Sequence, residues 1–504
     1  MSKTVTIRLE PLGVSFSLPA GTPLQDVLFA HGVEFPCGGK GKCKGCRVRL
    51  LQGSLPITPE QERMLSAEEL RAGWRLSCQC APEDDVTLEM AQWEAAILSD
   101  ETAISIEPRE GLGIAIDLGT TTLVAQLVDL KTGNVLSVRT ALNAQARHGA
   151  DIMSRIGFAV AEGGAHRLTE SIRKQIGSMI VNLLDAAGKR PSELTDVTAV
   201  GNTVMHHLFC GIDVTPLSHF PFESPSLGAQ TLRASSLGWP YGSLPVRFLP
   251  CIGGFVGSDI LAGVIATGLH RSATTVGLID LGTNGEIVVG SEEGLLCAST
   301  AAGPAFEGAR IYMGMRAATG AISEVYIKDG KLASHVLGNV TPRGICGSGL
   351  VDAVAAMLDL GLVKPGGRFA DGRSSLMLLP PVKISQTDIR ELQLAKGAIA
   401  AGIRLLLEEL GSGLEGLHQV HLAGAFGNYV NTTSAERIGL LPFPPEKIIP
   451  SGNTALRGAK IALFTGKEMW NDLAAKIKHV SLHENPEFQN TYVEQMTFPA
   501  SDEP

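Results

Sequence analysis

The chain is poor in charge and in aromatic side chains. Of its 504 residues 18% are charged and 5% aromatic, and Lys and Arg (42) are outnumbered by Asp and Glu (51), giving a formal charge of −9. This deficit of basic residues removes the general electrostatic case for binding DNA or RNA, so no nucleic acid partner is expected. No uncharged apolar run reaches the roughly eighteen residues that span a bilayer, and the opening Met1-Ser-Lys-Thr-Val-Thr-Ile-Arg has no apolar signal core. No membrane partner and a cytoplasmic location are therefore expected. Disorder is excluded as well, because 44% of the residues are hydrophobic and such a chain can bury enough apolar surface to fold. Glycine is plentiful at 58 but follows no three-residue period, which removes collagen-like and linker-like readings. Length alone suggests about two to four domains.

Cysteine is scarce and unevenly spread. Five of the nine fall between Cys37 and Cys80, while Cys210, Cys251, Cys297 and Cys346 are scattered. In a reducing compartment such a cluster points to metal rather than to disulfides. Around it, alternating Val5, Ile7, Leu9 and Val14, Phe16, Leu18 read as two strands joined at Leu12–Gly13. Thr22-Pro23-Leu-Gln-Asp-Val-Leu-Phe reads as a capped helix. Cys37, Cys43 and Cys46 follow at Cys-x5-Cys-x2-Cys, then the strand Arg47-Val-Arg-Leu-Leu, with a fourth candidate at Cys78 or Cys80. That pattern suits an iron–sulfur core needing four thiolates, with glycines that let backbone amides turn toward the sulfurs. Zinc is the competitor, but a zinc ribbon carries a second Cys-x2-Cys, which is missing here.

After a polar linker at 93–111 the chain repeats itself. Gly113-Ile-Ala-Ile-Asp117-Leu-Gly-Thr-Thr-Thr returns as Val276-Gly-Leu-Ile-Asp280-Leu-Gly-Thr-Asn-Gly. Each copy reads as strand, turn, strand, and two copies predict two similar lobes. At such tips Gly119 and Gly282 allow close backbone approach, neighbouring hydroxyls and amides can hold phosphate oxygens, and Asp117 and Asp280 can hold Mg²⁺ or a water. Two tips facing across a cleft would clamp a polyphosphate. A third element, Val420-His-Leu-Ala-Gly424-Ala-Phe-Gly427, runs a strand into a small-residue turn against which adenine and ribose can lie.

Other segments allow two readings. Gly201-Asn-Thr203 is a cleft loop or a helix N-cap. Arg343-Gly-Ile-Cys-Gly-Ser-Gly349 is a phosphate-facing helix start or a helix packed closely on a strand. Ala302-Gly-Pro-Ala-Phe-Glu-Gly308 is a further candidate lining of the cleft. His206 and His207 are expected as one packed and one exposed residue rather than as metal ligands. Ala144–Ala159 and Arg167–Ala187 are patterned as helices and read as an insertion or small helical layer after the first hairpin, near 141–190. The tail at 483–504 reads as polar and poorly anchored.

Residues 1–92 resemble plant-type and adrenodoxin-type [2Fe–2S] ferredoxins, in which the last ligand follows Leu-x-Cys. Leu76-Ser-Cys78 fits that pattern, which makes Cys78 the fourth ligand and Cys80 a bystander. Residues 112–482 resemble the sugar kinase, Hsp70 and actin superfamily, whose phosphate-1, phosphate-2 and adenosine motifs occur in this order. The implied architecture is an α+β ferredoxin-like β-grasp domain followed by an α/β two-lobed, ribonuclease-H-like domain.

Over essentially its whole length the chain is similar to the reductive activators of corrinoid-dependent enzymes. The likeness is carried by the cysteine motif, both Asp-Leu-Gly-Thr hairpins, Gly201-Asn-Thr, Asn284-Gly-Glu-Ile, Gly344-Ile-Cys-Gly-Ser-Gly and Ala423-Gly-Ala-Phe-Gly. It implies a [2Fe–2S] cluster held by Cys37, Cys43, Cys46 and Cys78. It implies Mg²⁺ and an attacking water handled by Asp117 and Asp280, and ATP phosphates held by Thr120, Thr121, Thr122 and Thr283 beside Gly119, Gly282 and Asn284. Adenosine would meet Gly424, Ala425 and Gly427. The implied activity is ATP-dependent transfer of one electron to the cobalt(II) state of a corrinoid protein, restoring cobalt(I) for methyl transfer. Plant-type clusters sit near about −400 mV, and each 59 mV of uphill one-electron transfer costs about 1.4 kcal/mol, within reach of a nucleotide-driven change. The partners implied are a corrinoid protein of a methyltransferase system, a low-potential donor such as a ferredoxin or flavodoxin, and a second copy in a homodimer. A redox-regulated phosphotransferase and a nonenzymatic redox sensor that binds nucleotide and partner are the rival readings. Activators of acyl-CoA dehydratases fit less well, because they bridge a [4Fe–4S] cluster between subunits whereas these thiols lie in one domain.

Overall fold

The computed structural model describes residues 3–10, 14–29, 41, 46–90, 106–149, 151–161, 163–282, 284–308, 310–317, 320–337, 341–427 and 429–500. The N-terminal module is a five-stranded sheet. Its strands are β1 (Thr4–Glu10), β2 (Val14–Pro19), β3 (Arg47–Gln52), β4 (Trp74–Leu76) and β5 (Val86–Met90), in the order β2-β1-β5-β3-β4. β1 and β5 run parallel in the middle, the β-grasp arrangement. Alternation sets its core: Val5, Ile7 and Leu9 point inward onto Leu24 and Leu28 of the helix Leu24–Phe29, with Val48, Leu76 and Leu88. The expected Leu12–Gly13 turn lies outside the described residues.

Two larger sheets follow. In the first lobe β6 (Leu112–Leu118), β7 (Thr122–Asp129), β8 (Val135–Leu142), β9 (Leu194–Gly201), β10 (Gln230–Arg233) and β11 (Pro245–Phe248) lie in the order β10-β11-β9-β6-β7-β8. The second lobe opens with β12 (Val276–Leu281), β13 (Gly285–Ser291) and β14 (Gly294–Thr300). It then sets aside β15 (Ala321–Lys328), β16 (Lys331–Val336), β17 (Gly344–Ile345), β18 (Ser375–Leu379) and β19 (Val382–Ser385) in small sheets of their own. The large sheet is completed by β20 (Gln419–Ala423), β21 (Ile448–Gly452) and β22 (Ile477–His479), in the order β21-β20-β12-β13-β14-β22. Each lobe thus places an antiparallel hairpin strand pair beside strands parallel to the first, the two-lobed architecture of the sugar kinase, Hsp70 and actin superfamily.

Period-two alternation decides what faces the space between lobes. In β6, Leu112, Ile114, Ile116 and Leu118 enter the outer core, leaving Ala115 and Asp117 on the inner face. In β12, Ile279 and Leu281 go outward, leaving Leu278 and Asp280 inward. The helices Ser258–Thr267 and Thr454–Ala462 cross between the sheets and share one core with both lobes. Their contact is close enough that a Cβ at Gly458 would lie 2.3 Å from the Ala262 carbonyl oxygen, so only glycine fits there.

Three expectations change. Of the two readings of the segment near 141–190 the helical layer holds and the insertion does not: the helix Gly164–Ala186 is the crossover that a parallel β8-to-β9 connection requires, and it supplies much of the first lobe's outer core. The expected helix Ala144–Ala159 is broken into a short turn, Ala144–Arg147, and the helix Ile152–Val160, which starts at a capping box of Asp151 with Ser154. The tail beyond Leu482 is anchored through the helix Phe488–Gln495. Gln393 and Lys396 donate to the carbonyls of Met496 and Thr497, and Phe498 is fully buried. Of the polar linker, 91–105 lie outside the described residues, and Arg109 ties its end to Asp196 at 2.9 Å. Among the described residues no helix is long and apolar enough to cross a membrane.

Candidate functional site

Asp117 and Asp280 occupy matching positions. Each is the penultimate residue of its lobe's first strand, opposite Val200 of β9 and Ala423 of β20 respectively. The tips close in the same way, with Gly119 N–H donating to the Thr122 carbonyl (3.1 Å) and Gly282 N–H to the Asn284 carbonyl (3.0 Å). Thr283 lies outside the described residues.

The first tip is gripped from behind. Asn143 Nδ2 donates to the Gly119 carbonyl at 2.9 Å and its backbone N–H to the Thr121 carbonyl at 2.8 Å. Asn202 Nδ2 donates to Thr120 Oγ1 at 2.9 Å, and the buried Arg155 guanidinium donates to the Thr120 carbonyl. Asn202 also accepts from Met205 N–H at 3.0 Å, so Gly201-Asn-Thr is both a cleft loop and a helix cap.

The cleft floor holds two carboxylates that sequence reasoning did not single out. Asp259 opens the helix Ser258–Thr267, and Glu286 stands opposite Asp280 on β13. Loss of water, reinforced by Asp117, pushes the Asp280 carboxyl up to about 7. Asp259 is pushed to about 7 by the same desolvation, with Asp280 and Asp117 adding to it. Glu286 rises well above the usual range through desolvation, Asp259 and Asp280. Asp117 reaches only about 6, because Asn453 Nδ2 donates to its Oδ2 at 2.9 Å and offsets part of the desolvation. Asp117, Asp259 and Asp280 therefore raise the proton affinity of their carboxyl neighbours, Glu286 among them, across the cleft floor. No three His, Cys, Asp or Glu among the described residues converge to ligate an ion directly.

The third motif packs on the second tip. Gly424 has φ +85°, and a Cβ there would sit 2.5 Å from Asp280 Oδ1. Ala425 and Gly427 complete the short turn Gly424–Gly427. Phe426 stacks on Phe306 with ring centres 4.5 Å apart, bringing the Ala302–Gly308 loop alongside. Gly347 and Gly349 instead make tight packing contacts with the Phe306 and Ile322 carbonyls, which favours the close-packing reading of that helix start. His206 and His207 are both buried, not one exposed; their Nδ1 atoms are 3.2 Å apart, and His207 Nε2 meets Ser224 Oγ at 2.6 Å.

In the N-terminal module Cys37 and Cys43 lie outside the described residues. Cys46 is buried at the start of β3, and Cys78 stands half-buried in the turn Ser77–Gln79. Ser77 N–H and Oγ both donate to the Cys46 carbonyl, at 3.0 and 2.8 Å, fastening the two cysteine turns together. Cys80 is different. Its thiol is buried, donates to the Leu76 carbonyl at 3.3 Å, and is pushed up to about 12 by desolvation. Of these two candidates for the fourth position, Cys78 is thus the more open and Cys80 the more deeply buried.

Comparison with known proteins agrees across the whole chain. Residues 7–83 match the family described as "2Fe-2S iron-sulfur cluster binding domain", 112–272 the "RACo middle region", and 274–504 the "C-terminal domain of RACo the ASKHA domain". The "Corrinoid activation enzyme RamQ" of Eubacterium limosum is 36% identical over 423 residues, covering 77% of this chain and 70% of that one. The "[Co(II) methylated amine-specific corrinoid protein] reductase" of Methanosarcina barkeri is 28% identical over 426 residues, 77% of each chain. A solved structure, "Reductive activator for corrinoid,iron-sulfur protein", superposes with a TM-score of 0.69 at 27% identity and covers 99% of both chains. The β-grasp module, the paired aspartate hairpins and these likenesses together mean that the chain belongs to the RACo-type family of corrinoid reductive activators.

Proposed function

We propose that this chain uses ATP, bound with Mg²⁺ between its lobes, to drive one electron onto the cobalt(II) corrinoid of a methyltransferase-system protein, restoring cobalt(I). The observation that carries this reading is the pairing of Asp117 and Asp280 at matched strand ends of a chain that also bears the cysteine module. Residues 1–92 form the electron-carrying part and 112–482 the nucleotide clamp, joined by 93–111. Cys37, Cys43, Cys46 and Cys78 hold a [2Fe–2S] cluster, which when bound supplies one electron drawn from a low-potential donor such as a ferredoxin or flavodoxin.

In the cleft, Asp117 and Asp280 would hold Mg²⁺, which would neutralise phosphate charge, and would orient the water that attacks the γ-phosphate. Thr120, Thr121, Thr122 and Thr283, with Gly119, Gly282 and Asn284, carry the phosphate oxygens, and Gly424, Ala425 and Gly427 receive adenosine. Asp259 and Glu286 lie beside the Asp117 and Asp280 carboxyls in the cleft floor. The product is ADP and phosphate, and the proton leaves to solvent. The working unit is a homodimer, as the family likeness implies.

The test mixes holoprotein, Mg²⁺-ATP, a low-potential reductant and candidate cobalt(II) corrinoid proteins, and follows cobalt(I) absorbance. Equal reduction without ATP would overturn the proposal. Cys43→Ala is expected to abolish reduction while sparing nucleotide binding. A second reading, phosphoryl transfer to a small acceptor, draws on a cavity of about 620 Å³ lined by Ser224, Gly253 and His479. ATP consumption that rises with a small alcohol or carboxylate and survives cluster removal would favour it.

A further inference from the structure

The N-terminal module touches both lobes, and by different means. On the first lobe Leu142, Ala144 and Ala146 pack against its hydrophobic core. On the second lobe the Arg343 guanidinium pairs with Glu89 of β5, whose other oxygen lies 3.5 Å from Arg49 of β3. Arg47 also lies within electrostatic reach of the Tyr312 phenol, again on the second lobe. Side-chain exposures of 26% for Arg343 and 17% for Glu89 leave that ion pair partly wetted. A rigid body seated on two lobes cannot keep both contacts when the lobes rotate about their hinge. The apolar seat excludes water and has little directional demand, whereas the Arg343–Glu89 pair is a single contact that depends on the distance and orientation of two side chains. The ion pair is therefore the contact that yields.

The seat is also wired to the phosphate-1 tip. Asn143 lies between the seat residues Leu142 and Ala144, and holds the Gly119 and Thr121 carbonyls. Gln175 brackets the same stretch, donating to the Leu142 carbonyl at 2.6 Å and accepting from Ala144 N–H at 2.7 Å. Arg155 reaches from the Thr120 carbonyl to the Gly149 carbonyl (3.0 Å) and Gln145 Oε1 (3.4 Å). Its hydrogen-bond partners among the described residues include no carboxylate, so a buried positive charge stands directly behind the loop that would take phosphate. A polyphosphate in the cleft would answer that charge and draw on the loop, and the loop would draw on the seat.

We infer that Asn143, Arg155 and Arg343 are positioning residues that set where the iron–sulfur module stands over the cleft according to whether the cleft holds nucleotide. The inference rests on the reading of the cleft as an ATP site and supplies the step that reading lacks, a route from phosphate to cluster.

Two measurements test it on the full-length holoprotein. In the first, hydrogen exchange is followed with and without Mg²⁺ and a non-hydrolysable ATP analogue, with no corrinoid present. Protection should change at 142–149 and at 341–345 as well as at the tips. Asn143→Ala, compared at analogue concentrations that saturate the variant, should lose the change at 142–149. Changes confined to the tips would overturn the inference. The second is a charge swap. Arg343→Glu or Glu89→Arg alone should lower cobalt(I) formed per ATP hydrolysed by about tenfold, the range of ordinary site-to-site coupling, with ATP hydrolysis held within about twofold. The double exchange should restore the ratio. Single variants that keep the wild-type ratio, or a double exchange that does not rescue it, would also overturn the inference. Wild-type reduction that needs no ATP would instead sink the proposed function, and the exchange experiment would still judge the linkage.

Discussion

The two aspartate hairpins share a sequence but not a setting. The first is held by Asn143, Asn202 and Arg155, and its Asp117 receives a hydrogen bond from Asn453. The second has open space around Gly282, where a Cβ would meet only the Asn284 carbonyl at 3.8 Å, and its Asp280 lies against Gly424 and across from Glu286. Desolvation acts on both carboxyls, yet Asp280 titrates near 7 and Asp117 near 6, with the Asn453 amide lowering only the latter. A duplicated motif has thus been divided into an anchored copy that can report occupancy and a looser copy set among the reacting groups.

Substitutions can break that division, and the largest effect is expected at the second copy. Asp280→Asn should cut ATP hydrolysis by roughly a thousandfold, within the span typical of acid–base and charge-positioning groups, while the visible cluster spectrum stays unchanged; turnover near wild type would remove Asp280 from the chemistry. Gly424→Ala comes next. It places a methyl 2.5 Å from Asp280 Oδ1 on a φ of +85° and should cost about 1–3 kcal/mol, visible as weaker nucleotide binding by calorimetry.

Asn453→Ala should erase the difference between the copies. Asp117 would rise toward Asp280, and the acid limb of the hydrolysis profile would move to higher pH, with a loss of about twofold at about pH 7 that approaches about tenfold toward about pH 5. Asn453 also caps the helix Thr454–Ala462 through Leu456 N–H at 2.8 Å. Asn453→Ser, which retains a capping oxygen, separates the two roles, since only the electrostatic one moves the pH profile.

The smallest effect concerns the whole cleft. Its carboxyls bind protons more tightly when folded than when unfolded. The stability they contribute is therefore present below about pH 4 and lost as pH climbs toward about 7. The nucleotide-free protein should melt about 1 °C lower at pH 8 than at pH 6 for each kcal/mol lost, and Mg²⁺-ATP should recover the difference by binding only the folded form. A melting point that rises over this interval would contradict the shifted carboxyls.

Legibility followed repetition and alternation. Asp117 and Asp280 could be read because Asp-Leu-Gly-Thr occurs twice between apolar strands, and the β-grasp module because its alternation and cysteine spacing agree. Glu286 carried a signal that went unused: a lone charge in the otherwise apolar strand Gly285–Ser291. Asp259 had less, since it starts an apolar helix after a glycine-rich loop, and only the fold brings it beside Asp280. The break at 148–151 was visible in the Asp151–Ser154 cap but was masked by the alanines on either side. The docked tail was not legible, because Phe498 and the carbonyls of Met496 and Thr497 find partners about a hundred residues earlier in the chain and no local pattern encodes a long-range contact.

The crossing of Ser258–Thr267 with Thr454–Ala462 bears on how this polypeptide can be divided. The later helix lies on strands of the first lobe and the earlier one reaches the second, so each half depends on a piece delivered by the other. A gene cut at the border between the middle and C-terminal regions, near residue 273, would yield two fragments with bare apolar faces, soluble only when co-produced and mutually complementing.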